Sequence, residues 1–225
     1  MTTYVLIHGA GSDGWYWHLV TPILQEHGHE VVAPDLPVDD DRAGLAEYTD
    51  VVVDAIGDRT DLVVVAQSLA GFVGPLVCDR RLDRTRQLIL VAAMTPKPGE
   101  PPGEWWTNTG WDKVHPAMGP DFDPMVEFFH DVPPDITSQA FARGARDQSG
   151  TPFEKPWPLA AWPDVPTRFI LGRHDRFFPA DFQRRVVGER LGVTPEEIDS
   201  GHLPALARPA ELAALLLREG TAGTP

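Results

Sequence analysis

One cysteine, Cys78, is all that 225 residues contain, so no internal disulfide is possible and a reducing cytoplasm is the expected location. Nothing apolar runs long enough to span a bilayer. The first residues enter a strand pattern with no basic region and apolar signal segment ahead of it, so no secretion is expected. Lysine is scarce as well: Lys97, Lys113 and Lys155 are the only lysines among nineteen basic residues, set against thirty-three acidic ones. The resulting net charge of −14 argues against nucleic acid or an anionic membrane surface as partner. The glycine-rich stretch His8-Gly-Ala-Gly-Ser-Asp-Gly14 has the spacing of neither a dinucleotide fingerprint nor a P-loop. Asp39-Asp40-Asp41 has no neighbouring histidine or carboxylate at ligand spacing and reads as a solvated acidic turn. No metal site is expected.

What is present is a soluble globular composition, 42% hydrophobic and 23% charged, on a chain long enough for one domain with a large core. Six short segments read as strands, most of them apolar runs: Thr3–Ile7, Glu30–Pro34, Leu62–Val65, Gln87–Ala93, Thr167–Leu171 and the short Glu196–Ile198. Between them lie helical patterns over His18–His27, Ala43–Ile56, Phe72–Val77, Ala180–Leu191 and Pro209–Glu219, with a frayed tail from Gly220 to Pro225. Such alternation predicts an α/β fold, a mostly parallel six-stranded sheet with helices on both faces. The rhythm breaks from residue 96 to 165, which is rich in proline and holds five of the seven tryptophans. Its density of large apolar side chains is wrong for a disordered linker. Residues 96–165 are therefore expected to form a short cap, with helices near Met125–His130 and Ile136–Arg146, over a core made of residues 1–95 and 166–225. Within this cap Trp105, Trp106, Trp111, Phe128 and Phe129 are candidates for lining a pocket, simple core packing being the alternative for each.

Chemistry concentrates around Ala66-Gln67-Ser68-Leu69-Ala70-Gly71, which follows the buried run Leu62–Val65 and precedes a helix. A serine at a sharp strand-to-helix turn, flanked by small residues, is a nucleophile-elbow pattern, although Ala66 and Ala70 stand where G-x-S-x-G has glycine. The alternative is an ordinary turn with Ser68 as N-cap. Serine attack requires a base and a carboxylate to orient it. Asp175 and His202 each follow a predicted strand, and strand C-terminal ends share one edge of a parallel sheet. Asp175 has the alternative of pairing with Arg173 or Arg176. His174 competes with His202 as base but points away if Asp175 points inward, and His8 is expected to brace the glycine-rich loop. The backbone N–H groups of Ala10 and Leu69 are the candidates for an oxyanion hole.

With Ser68, Asp175 and His202 in that order, the chain resembles the α/β-hydrolase superfamily over nearly its whole length. Within it the resemblance is to the plant methylesterase and hydroxynitrile lyase group and its bacterial relatives. It is carried by His8-Gly9-Ala10 leading to Gly14-Trp15-Tyr16-Trp17, by Ser68-Leu69-Ala70-Gly71, by Asp175 with Pro179 and Phe182-Gln183-Arg184, and by Gly201-His202. The resemblance implies an α/β-hydrolase fold without cofactor, with a short cap over an apolar pocket. Gln67 stands where that group usually has histidine. The lyase branch carries threonine after the His-Gly pair and lysine after the catalytic histidine, where this chain has Ala10 and Leu203. A small, largely apolar ester is thus the expected substrate. Other reactions of the same triad (lyase chemistry, C–C hydrolysis, cofactor-free oxygenation) and a slow-turnover ligand-binding signalling protein are the alternatives.

Overall fold

Leu62, Val64 and Ala66 belong to one hydrophobic core and Val63 and Val65 to another, on the opposite face of the strand they share. That is why strand β3 (Leu62–Gln67) reads as an unbroken apolar run: a period of two feeds both faces of a covered sheet. The computed structural model describes residues 1–115 and 122–218. Beside β3 it places β1 (Thr3–Ile7), β2 (Glu30–Val32), β4 (Thr85–Val91), β5 (Thr167–Gly172) and β6 (Glu196–Ile198), in the order β2-β1-β3-β4-β5-β6. Every neighbouring pair is parallel.

Helices α1 (Thr21–Glu26), α2 (Leu45–Ile56), α3 (Gly74–Arg80), α7 (Ala180–Leu191), α8 (Pro204–Ala207) and α9 (Pro209–Leu216) supply the covering layers. Residues of α2, α3 and α7 join the core that holds Leu62, Val64 and Ala66; those of α1, α8 and α9 join the other. Helix α2 shows the cause: Leu45, Tyr48, Thr49, Val52, Val53 and Ile56 recur at helical spacing and are buried. Its start is capped by the Glu47 carboxylate, which accepts from the Gly44 N–H at 2.8 Å.

Most departures from the expected helices fall at prolines or glycines. The helix expected over His18–His27 is shorter, α1 starting at Thr21 just ahead of Pro22, and a separate 3-10 turn, Gly14–Trp17, precedes it. The helix expected at Phe72–Val77 begins at Gly74, ahead of Pro75, and follows a separate 3-10 turn over Ser68–Phe72. Pro204 opens α8, a one-turn helix outside the helical patterns expected from the sequence. The tail Gly220–Pro225 lies outside the described residues.

Between β4 and β5 the described residues contain no strand, only short helices: α4 (Trp105–Thr109), α5 (Pro124–Glu127) and α6 (Pro134–Arg143). Helix α6 was expected to reach Arg146 but ends at Gly144, whose φ of +80° favours glycine. Trp105, Trp111 and Trp157 of this excursion pack into the same core as the sheet. A buried ion pair ties it to α7: the Arg190 guanidinium donates to both Glu100 oxygens, at 2.5 and 2.9 Å, with both side chains almost fully enclosed.

Candidate active site

Ser68 is the first residue after β3 and has φ +52°, a conformation that a residue with a Cβ enters only at a cost of about 1–3 kcal/mol. The turn holds because β4 is drawn against it. The Met94 N–H donates to the Ser68 carbonyl at 3.0 Å. A Cβ on Gly71 would stand 1.8 Å from the Met94 carbonyl oxygen, and one on Gly74 2.8 Å from the Ala66 side chain. The close approach that the elbow requires is thus supplied by Gly71 and Gly74, which explains why Ala66 and Ala70 are tolerated where glycine is usual. Gly71→Ala is accordingly expected to cost about 3 kcal/mol or more, because the clash is with backbone that cannot rotate away. A urea midpoint within error of wild type would show that the turn has slack.

The β1 loop closes onto the same turn. A Cβ on Gly9 would meet the Gln67 amide oxygen at 2.4 Å and the Ser68 Cβ at 2.8 Å, so glycine lets Ala10 sit beside the serine. His8 braces this loop, as expected: its Nδ1–H donates to the Gly9 carbonyl at 2.9 Å and its Nε2 accepts from the Leu36 N–H at 3.0 Å. Only the neutral ring makes both bonds, and burial pushes the His8 pKa below its ordinary 6.5. As pH falls, the unfolded chain takes up this proton before the folded one. The stability His8 contributes is therefore complete above about pH 6.5 and is lost below it, down to the depressed folded value. Urea midpoints should fall on acidification below that pH. In His8→Asn, less stable at pH 8, the fall should be shallower; an equal fall would assign the acid sensitivity to other groups.

Three strand ends bring the remaining groups together. Asp175 follows β5 and His202 follows β6. His202 Nδ1–H donates to Asp175 Oδ2 at 2.8 Å, and His202 Nε2 lies 3.1 Å from Ser68 Oγ. All three side chains are nearly enclosed. Asp175 Oδ1 accepts from the Phe178 N–H at 2.8 Å, and Oδ2 also accepts from Gln183 Nε2 at 3.3 Å. The competing pairings are absent: Arg173 bonds Glu197 and Arg176 bonds the Val126 carbonyl. His174 is exposed and meets Asp199 at 2.7 Å instead. Phe128, Phe177 and Phe178 surround the His202 ring at centroid distances of 5.3, 5.2 and 5.0 Å.

Above Ser68 opens a cavity of about 590 Å³, large enough for a small organic molecule. Ser68, His202, Ala10 and Leu69 line it, as do Trp106, Phe128 and Phe129. Trp105 and Trp111 do not. Both are buried one layer behind, with indole N–H groups donating to the Thr95 and Phe177 carbonyls, at 3.2 and 2.6 Å. They are core residues that support the wall, the packing alternative that the sequence leaves open for each. Sequence reasoning missed Tyr16, Phe141, Phe177 and Leu206 in the wall, and Arg143 and Gln148 at its polar side. Phe177 was within reach, since a loop that aims Asp175 inward must carry its next residues around the site. Phe141, Arg143 and Gln148 depend on how the excursion folds, and Tyr16 and Leu206 on how the turn after β1 and α8 pack beneath it.

The sheet order and the convergence on Ser68 agree with a comparison of the whole chain: residues 4–215 match the alpha/beta hydrolase family. The chain belongs to that family. Among relatives of this chain, Methylesterase 7 of Arabidopsis thaliana is 25% identical, over 95% of this chain and 94% of its own. Norfluorocurarine synthase 1 from Strychnos sp is 22% identical over 93% and 91%. The crystal structure of a pyrethroid hydrolase from Sphingobium faniae JZ-2 superposes with a TM-score of 0.76 over 96% of this chain and 95% of its own. At 22% identity that likeness speaks to the fold alone. Membership supports a hydrolytic or related catalytic role for this family member, and the names of its relatives span both.

Proposed function

We propose that this hydrolase-family chain cleaves carboxylic esters of small, largely apolar molecules. Ser68 Oγ attacks the ester carbonyl while His202 Nε2 takes its proton. Asp175 holds the imidazole in the Nδ1–H tautomer and stabilises the charge it acquires. The oxygen that becomes negative is received by the N–H groups of Ala10 and Leu69, each such donor contributing about 3 kcal/mol to barrier lowering in comparable enzymes. The alkoxide leaves with the proton from His202, and water repeats the sequence on the acyl-enzyme.

One observation carries the reading: an unbroken hydrogen-bond path from Asp175 through His202 to Ser68, at 2.8 and 3.1 Å, ending at the floor of the cavity. The aromatic wall of Trp106, Phe128, Phe129 and Phe177 suits an apolar substrate. Leu203 also lines the cavity, where the lyase branch would place a lysine to receive departing cyanide, which favours hydrolysis over that chemistry. The methylesterase among the relatives points the same way. A panel of p-nitrophenyl esters tests it. Steady turnover, lost in Ser68→Ala, is the expected result. A single covalent labelling event without turnover would overturn hydrolysis in favour of a ligand-binding role.

A further inference from the structure

The loop that carries His202 is gripped from two sides. From the sheet side, the His174 N–H donates to the Ser200 carbonyl at 3.0 Å, and Gly172 lies so close that a Cβ there would meet the Ser200 and Gly201 carbonyl oxygens at 2.5 Å. From the other side comes Asp131, in the turn between α5 and α6. Its Oδ2 accepts from the Gly201 N–H at 2.7 Å and from the Ser200 hydroxyl at 3.2 Å. Ser200 is fully buried and Gly201 is buried beside it. The absent side chain of Gly201 is part of this fit: a Cβ there would stand 2.7 Å from Asp131 Oδ1 and 2.8 Å from His130 Nε2.

These two residues immediately precede His202. The phenylalanines around the imidazole constrain its tilt, but the place from which the side chain springs is set by the backbone of Ser200 and Gly201. A carboxylate accepting a buried N–H is a strong, directional tether. We infer that Asp131 is a positioning residue, through which the β4–β5 excursion sets the distance between His202 and Ser68. The inference rests on the proposed reading of His202 as the base for Ser68.

Remove the acceptor and a buried N–H and a buried hydroxyl both lose their partner, so the loop shifts to find others. The 3.1 Å contact of His202 Nε2 with Ser68 Oγ then lengthens or tilts. A displacement of about 1 Å in a reacting group costs on the order of 100-fold in rate. Substrate binding, made by the cavity wall, is left nearly unchanged.

Labelling by an alkyl fluorophosphonate reads this step directly. The Ser68 oxygen bonds to phosphorus, fluoride leaves, and the hydroxyl proton passes to His202. Intact mass reports the adduct with time, and p-nitrophenyl ester turnover gives kcat and KM separately. Asp131→Ala is expected to slow labelling and kcat together by about 10- to 100-fold, with KM within about twofold. Asp131→Asn can place its carbonyl oxygen where Oδ2 now sits and should return both rates to near wild type. Glu100→Gln breaks the buried ion pair at the other end of the excursion; it should lower Tm but label at the wild-type rate. If Asp131→Ala does not fold, Asp131→Glu, which displaces the carboxylate by one methylene, takes its place with the same expected loss. Wild-type labelling in the Ala or Glu variant overturns the inference, as does an Asn variant as slow as Ala. A wild-type protein that is not labelled at Ser68 overturns the nucleophile assignment itself, and the Asp131 inference with it.

Discussion

Ser68→Ala is expected to lower kcat for a p-nitrophenyl ester by about 10⁵- to 10⁶-fold while KM changes only a few-fold. The hydroxyl is small and contributes little to holding substrate, whereas the other hydroxyls that line the cavity, Ser12 and Tyr16, are bonded elsewhere and have no imidazole to take their proton. Cys78, the only thiol, is fully buried in α3, and burial pushes its pKa far above the ordinary value, so it remains a protonated core residue. Alanine carries the same Cβ into the φ +52° conformation, so the strained turn and the Met94 contact persist and Tm should hardly move. The residual rate, traceable to the Ala10 and Leu69 N–H groups, should still exceed that of the ester in water. Activity undiminished in this variant would place the chemistry elsewhere and leave the 3.1 Å Ser68–His202 contact without a catalytic role.

How far the sequence reaches is visible in particular residues. The six strands are legible because both sheet faces are covered, so Leu62–Gln67 or Thr3–Ile7 stands out as an apolar block among polar connections. Ser68 and Asp175 are legible because each follows such a block; His202 follows only the short, largely charged Glu196–Ile198 and is legible by its place in the order serine, acid, histidine, and a parallel sheet collects all three ends on one edge. The excursion is not legible in the same way. Trp105 and Trp106 are adjacent and chemically identical, yet one is sealed in the core and the other faces the cavity. No local signal separates them; the choice is made by what packs against each, Phe178 and Phe182 around Trp105, Trp111 and Phe177 around Trp106. Asp131 and Gln148 illustrate the same limit. Each bonds a loop far away in the chain, Gly201 for one and Gly11 for the other, and such pairings follow from tertiary structure alone.

Asp175→Asn should cost about 10⁴-fold in kcat, nearly as much as losing the base. Asp175 has only donors for partners: the Phe178 N–H at Oδ1, and the His202 and Gln183 N–H groups at Oδ2. An asparagine must point its NH₂ at one side or the other. The Phe178 N–H belongs to the backbone and cannot become an acceptor, so an NH₂ facing it would leave two buried donors opposed. The Oδ2 side can adapt. The Gln183 bond to Oδ2 is long, at 3.3 Å, and without it Gln183 Nε2 keeps its 2.6 Å bond to the Phe178 carbonyl, while His202 can move its proton from Nδ1 to Nε2. The amide therefore turns its NH₂ toward the imidazole, and the ring answers by pointing Nε2–H at Ser68. In that tautomer His202 donates where it must accept, and the serine proton has nowhere to go. The expected signature is a fall in kcat with KM, Tm and cavity shape preserved, because each partner stays in place and only protons move. A variant that retains wild-type kcat would mean that the ring keeps its tautomer without the carboxylate, and the Asp175–His202 bond of 2.8 Å would be a packing contact only.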